Sequence, residues 1–137
     1  MTTLPKGAYG LLLAFDGYDA SSERCADVDL LRSVLLELPE TIGMRRLGEP
    51  HTVSVDEPGI SGLSGFTFIM ESHISIHTYS ERGFVTADIY SCKWFDADVA
   101  ARFLADAFAI PSYETSHVVR GLRFDKLPIA SGARERP

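Results

Sequence analysis

The sequence predicts an α+β fold: a two-layer sandwich with a mostly antiparallel sheet and helices on one face. Three observations carry this. The chain has 137 residues, 45% of them hydrophobic and 23% charged, which suits one domain, 1–137, around one core. Its apolar residues follow a helical period in two segments and a strand-like pattern in at least four. Short turn signals separate several strand neighbours, and short connections favour antiparallel pairing.

The elements follow in order. Ala8 to Phe15 is a mostly apolar run that stops at the turn pair Asp16-Gly17, as a buried strand does. Val28, Leu31, Leu35 and Leu38 form one stripe of an amphipathic helix over 27–38, widened by Leu30 and Val34. Asp27 or Asp29 caps its start, and Pro39 marks its end. His51 to Val55 reads as a short strand, followed by the loop Asp56-Glu-Pro-Gly-Ile-Ser-Gly. Ser64 to Glu71, His73 to Thr78 and Gly83 to Cys92 are β-rich, with a turn at Glu81-Arg82-Gly83. Asp96 to Ala109 is helical, capped by Asp96 and followed by Pro111. Its two apolar rows are Val99, Phe103, Ala107 and Ala100, Leu104, Phe108. Tyr113 to Phe124 returns as a strand with a break at Gly121, and 125–137 reads as a mobile tail.

Charge and composition exclude several functions. The net charge of −6 repels phosphate backbones, so nucleic acid is not an expected partner. No apolar run approaches the roughly 18 residues of a membrane span. The start, Met1-Thr-Thr-Leu-Pro-Lys, lacks the features of a secretion signal, so a cytoplasmic protein without a membrane partner is expected. Cys25 and Cys92 lie far apart in sequence and form neither a disulfide framework nor a CxxC pair, so both are expected as free thiols.

The segment 65–92 concentrates the reactive side chains: Glu71, Ser72, His73, Ser75, His77, Thr78, Glu81, Asp88 and Cys92. Polar groups this dense within apolar runs need partners or water. The plainest reading is an amphipathic strand with a wet face. Three chemistries also fit. A metal site from Glu71, His73 and His77 is disfavoured, because an i, i+4 pair converges on a helix and this run is β-like, so no metal is expected. A triad of Ser72, His77 and Asp88 lacks a nucleophile elbow. Self-cleavage needs Ser72 to attack the Glu71 carbonyl, an oxyanion donor and a nearby acid or base. Composition and spacing leave these open.

The string from Gly62 to Cys92, with Gly62-Leu-Ser-Gly, Glu71-Ser-His-Ile-Ser-Ile-His-Thr and Asp88-Ile-Tyr-Ser-Cys, resembles the prokaryotic S-adenosylmethionine decarboxylase proenzymes. The resemblance implies a self-processing, pyruvoyl-dependent decarboxylase of polyamine biosynthesis acting on S-adenosylmethionine. It implies cleavage between Glu71 and Ser72, giving a β chain, 1–71, and an α chain, 72–137. Ser72 becomes the covalent pyruvoyl cofactor that forms a Schiff base with the substrate amine. Ser64 assists processing, His77 drives elimination of the ester, and Cys92 is the proton donor in turnover. Glu81 matches a residue near the ribose. If Cys92 faces the site, strand alternation brings Asp88 and Tyr90 to line it as well. A homodimer of αβ protomers is also implied.

Two departures bear on the substrate. The family's Trp-Pro-Glu reads Tyr79-Ser80-Glu81, and Pro58 stands near an expected adenine-stacking aromatic. Acidic Asp56 and Glu57 suit a substrate with a distal cation, so a pyruvoyl-dependent ornithine or arginine decarboxylase is the first alternative. An uncleaved, non-enzymatic regulatory homologue is the second. Strand parity sets Ser72 and His77 on opposite faces, so a turn, a bulge or movement after cleavage has to unite them.

Overall fold

A computed structural model describes residues 4–130. Six strands form one sheet: β1 (Gly10–Tyr18), β2 (Arg46–Val55), β3 (Gly62–Ile69), β4 (Ser72–Tyr79), β5 (Phe84–Ser91) and β6 (Ser112–Arg120). Their order is β2-β3-β4-β5-β1-β6, antiparallel at every pairing. Helices α1 (Ser22–Cys25), α2 (Val28–Thr41) and α3 (Ala97–Phe108) pack on one face. The predicted two-layer α+β sandwich is the observed architecture.

Alternation assigns each strand side chain to one layer. Leu11, Leu13 and Phe15 of β1, Ile74 and Ile76 of β4, and Val85, Ala87 and Ile89 of β5 point into the core. They meet Leu31, Leu35 and Leu38 of α2 and Leu104 and Phe108 of α3. Of the stripe predicted for α2, Val28 departs: it sits in the first turn and is exposed. In α3 the row Ala100, Leu104, Phe108 is buried, and Val99, Phe103, Ala107 flank it half-buried. Neighbouring positions on the strands turn to a face that no helix covers. That face carries Ser64, Phe66 and Phe68 of β3 beside His73, Ser75 and His77 of β4, and Thr86, Asp88 and Tyr90 of β5.

Asp27 caps α2 by accepting from the Leu30 N–H, and Asp96 caps α3 by accepting from Asp98 and Val99 N–H. The end of α2 differs from the expectation. Pro39 lies inside the last turn, where it only forfeits one hydrogen bond, and the helix continues to Thr41. Gly43, with φ +76°, ends it. Gly43 N–H donates to the Glu40 carbonyl and Met44 N–H to the Pro39 carbonyl, a Schellman closure. β2 begins five residues before the predicted strand, and its register against β3 shifts between Leu47 and His51. Gly48, at φ +79°, lies inside that irregularity, which breaks the alternation on which strand prediction rests. The single turn α1 was not predicted. β6 ends at Arg120, and a 3₁₀ turn at Phe124–Lys126 follows. Asp125 N–H donates to the Gly7 carbonyl there. Of the tail expected over 125–137, residues 131–137 lie outside the described residues.

Candidate active site

Glu71 and Ser72 occupy the turn of the β3–β4 hairpin. Ile69 pairs with Ser72, so Met70 and Glu71 alone make the connection. The Ser72 hydroxyl donates to the Glu71 carbonyl oxygen, which places the oxygen nucleophile against the carbonyl it would attack. Glu71 is exposed and Ser72 half-buried.

Cys92 follows β5 directly. His73 pairs with Tyr90, so the same register carried two residues on sets Cys92 across from Glu71. Cys92 and Glu71 line one cavity of about 340 Å³ with Tyr9, Phe124 and Asp125. On the helix-free face beside Ser72, the His73 and Tyr90 rings lie 5.9 Å apart. The Arg120 guanidinium sits over Tyr90 at 4.6 Å from the ring centre, a cation–π contact.

Two residues at this end of the sheet were missed in the sequence: Tyr9, which shares a cavity with Glu71 and Cys92, and Arg120, which shares one with Ser72. Their signals were faint. Tyr9 precedes the first strand beside Gly10, and Arg120 precedes Gly121 at the strand break. Burial and the charges of Cys92, Glu71 and Tyr90 raise the pKa of the Tyr9 phenol.

Ser64 and His77 form a second group. They are direct partners across the β3–β4 ladder, and Ser64 Oγ lies 2.7 Å from His77 Nδ1. With His51, Phe66, His73 and Ser75 they line an apolar cavity of about 310 Å³ on the helix-free face. The ladder is unbroken against β3 from Ser72 to His77 and against β5 from His73 to His77, so the bulge considered above is absent. Five strand steps put His77 about 16 Å from Ser72. Within one chain, Ser64 and His77 are therefore not joined to Ser72 and Cys92. The same spacing separates His73 from His77 by about 13 Å, too far to share a metal ion.

Asp88 faces Ser75 near the middle of the helix-free face and is exposed. Tyr90 lies two positions nearer Ser72. Glu81 lies at the far end of the hairpin, where Oε1 accepts from Gly59 N–H at 2.8 Å and Ser61 N–H at 3.4 Å. Its carboxylate thus holds the loop that carries Asp56, Glu57 and Pro58. Asp56 and Glu57 themselves are exposed.

The pattern of the S-adenosylmethionine decarboxylase family matches residues 11–121. The chain belongs to that family. The match takes in both Ser72–Cys92 and Ser64–His77. The S-adenosylmethionine decarboxylase proenzyme of Symbiobacterium thermophilum is 34% identical over 100 residues, covering 72% of this chain and 73% of that one. The proenzyme of Geobacillus sp. strain WCH70 is 40% identical over 62 residues, 45% of this chain. That alignment spans about half the length of the Geobacillus protein. The crystal structure of the adenosylmethionine decarboxylase from Aquifex aeolicus VF5 superimposes with a TM-score of 0.71 at 25% identity, covering 83% of this chain and 92% of that one. The relatives it matches are named as decarboxylase proenzymes. These relatives give no support to the ornithine or arginine alternative, or to an uncleaved regulatory protein. Among the described residues no helix is long and apolar enough to cross a membrane.

Proposed function

We propose that this chain is an S-adenosylmethionine decarboxylase that makes its own pyruvoyl group by cleavage between Glu71 and Ser72, and that it acts in the cytoplasm. The observation that carries the reading is the Ser72 hydroxyl hydrogen-bonded to the Glu71 carbonyl in a hairpin turn, with Cys92 across from it. These residues fit a pyruvoyl group: a serine that can attack its own peptide bond, and a thiol beside the position the new group would take. When formed, that group would supply the electron-accepting carbonyl for loss of CO₂ from a bound amino acid. Cys92 then holds the proton that replaces CO₂. The Tyr90 ring, Asp88 and the exposed apolar surface of Phe66 and Phe68 offer contacts for the substrate. Glu81, at the far end of the hairpin, would serve a substrate at Ser72 only from a second copy, where Oε2 is free to accept from ribose hydroxyls.

We further propose that the working form is a homodimer of αβ protomers that closes over the helix-free face. The Ser64–His77 pair lies too far from Ser72 to act on it within one chain. A second copy turned by a two-fold axis over the open sheet can bring its pair to the first chain's β3–β4 hairpin turn, at the sheet's end where Glu71 is exposed. Phe66, Phe68, Val53 and Val118 are large apolar side chains left partly exposed on that face.

Intact mass together with CO₂ release tests the function. Two chains split after Glu71, the α chain starting with a pyruvoyl group, and CO₂ release from S-adenosylmethionine are expected. A single uncleaved chain in active protein, or release only from ornithine or arginine, would overturn it.

A further inference from the structure

We propose that Arg120 binds the α-carboxylate of the substrate, holding the amino acid with its amine towards Ser72 until CO₂ leaves. This rests on the decarboxylase reading above. Ser72 and Arg120 line one cavity of about 530 Å³ with Phe68, Glu71, His73 and Tyr90. Among the described residues, Arg120 is the one lysine or arginine on that cavity. The ion pairs of the described residues join Arg32 and Arg46 to Glu49, so Arg120 has no carboxylate partner of its own there. It is also exposed, and so open to a ligand.

The sheet sets its position. Gly10 of β1 pairs with Arg120, and Leu12 with Tyr90. Arg120 and Tyr90 therefore stand on the two strands that flank β1, two strand spacings or about 10 Å apart between backbones. Gly10 has no side chain to fill the space between them, and a Cβ there would stand 2.5 Å from the Ser91 carbonyl oxygen. The Arg120 guanidinium crosses β1 and lies over Tyr90, 4.6 Å from the ring centre. The Tyr90 ring in turn meets that of His73, the residue after Ser72, at 5.9 Å. A guanidinium over a ring engages through its face and leaves the N–H groups at its edge to donate. Those paired donors match the two oxygens of a carboxylate.

The chemistry of the substrate supplies the ligand. S-adenosylmethionine carries one negative group, the α-carboxylate, on the carbon that also bears the amine. With the amine directed to Ser72, the carboxylate falls in the same cavity as Arg120. The ion pair exists with the substrate and not with the product, which loses that charge as CO₂. Arg120 therefore favours the charged ground state and contributes to binding, not to the rate of the chemical step. Departure of CO₂ removes the contact and frees the product.

The experiment compares wild type with Arg120→Gln and Arg120→Met, each first shown to be cleaved by intact mass. Binding is measured by calorimetry with the deaminated analogue of S-adenosylmethionine, which keeps the carboxylate but has no amine to react, and with its neutral carboxamide. Wild type should bind the acid about 10-fold or more tighter than the carboxamide, the size of a charge-assisted hydrogen bond. The variants should lose that preference and bind the carboxamide as wild type does. With S-adenosylmethionine itself, KM should rise by a similar factor while kcat holds. If wild type releases no CO₂ from S-adenosylmethionine, the decarboxylase reading fails and this assignment with it. If wild type turns over but shows no preference for the acid, or a cleaved variant keeps the preference, the assignment alone is overturned. Equal weakening of acid and carboxamide would also overturn it, since Arg120 would then act only by packing on Tyr90. A fall in kcat at unchanged KM, or failure of both variants to cleave, would place Arg120 in another step and equally sink the assignment.

Discussion

Ser64 Oγ stands 2.7 Å from His77 Nδ1 on the open face of the sheet, while Ser72 begins the same strand five positions away. The hydroxyl–imidazole pair and the cleavage site thus share a hairpin without sharing a site. Because β4 is regular between them, no local bend shortens the gap. Movement of the pair as a unit would have to break the ladder to β3 or β5, whereas a second molecule could supply it without cost to the sheet.

The two halves should separate chemically. Ser72→Ala removes the attacking oxygen, and its chain should stay whole by intact mass. His77→Ala keeps that oxygen but loses the base proposed for ester elimination. Its chain should stall as an ester that hydroxylamine cuts after Glu71. An intact, hydroxylamine-resistant His77→Ala chain would place His77 earlier in the sequence of steps or outside it.

Cleavage in trans should follow from the dimer. Chains carrying His77→Ala retain Ser72, and chains carrying Ser72→Ala retain His77. Co-expressed, they should form mixed dimers in which the partner's imidazole acts on the His77→Ala chain. Part of the His77→Ala chain should then be cleaved, although neither variant is cleaved alone. No cleavage in purified mixed dimers would mean that each His77 serves its own chain.

Phe68→Arg tests the surface proposed to join two copies. Phe68 is 55% exposed, so its own burial contributes little to folding of the protomer. A charge there should shift sedimentation from dimer to monomer while changing protomer stability by about 0.5 kcal/mol or less, as surface substitutions usually do. A stable dimer of Phe68→Arg would move the interface elsewhere.

Cys25 sets an alkaline limit on stability. Burial pushes its thiol up to about 11 from an ordinary value of 9.0. The native state therefore keeps a proton that the unfolded chain gives up above pH 9, so stability is intact below pH 9 and falls as pH rises towards 11. The loss should be on the order of 1–2 kcal/mol. Cys25→Ala should flatten this part of the pH–stability curve relative to wild type in urea unfolding. An unchanged slope would show that other groups cause the alkaline loss.

The sequence made much of this layout legible because side chains on regular elements obey a fixed period. Asp27 and Asp96 were readable as caps, since a carboxylate ahead of an apolar stripe satisfies free helix N–H groups. Alternation also put Asp88 and Tyr90 on one face, where they lie. Irregular backbone hid the rest. Pro39 looked like a terminator, but a proline in a last turn loses only one hydrogen bond, and Gly43 ends the helix instead. The shift around Gly48 broke the alternation of β2. Tyr9 and Arg120 were invisible because they come together through the joining of β1 to both β5 and β6, a non-local pairing that no window of sequence reports.

Cys92 should matter more to turnover than to self-cleavage. The acyl shift and ester elimination act on atoms of Glu71 and Ser72, and neither step requires a proton from the thiol. Replacement of CO₂ by a proton does require an acid beside the substrate α carbon, and Cys92 lies across from Glu71 at that end of the sheet. Cys92→Ser keeps the side-chain size but substitutes a far weaker acid. Processed chains should still form, and CO₂ release should fall by about 10²-fold or more. Cys25→Ser is the matching control: its side chain is buried in the core away from the Glu71–Ser72 turn, so it should cost stability and leave the turnover of folded protein near wild type. Normal turnover in Cys92→Ser, or a specific loss in Cys25→Ser, would mean that the proton comes from another group.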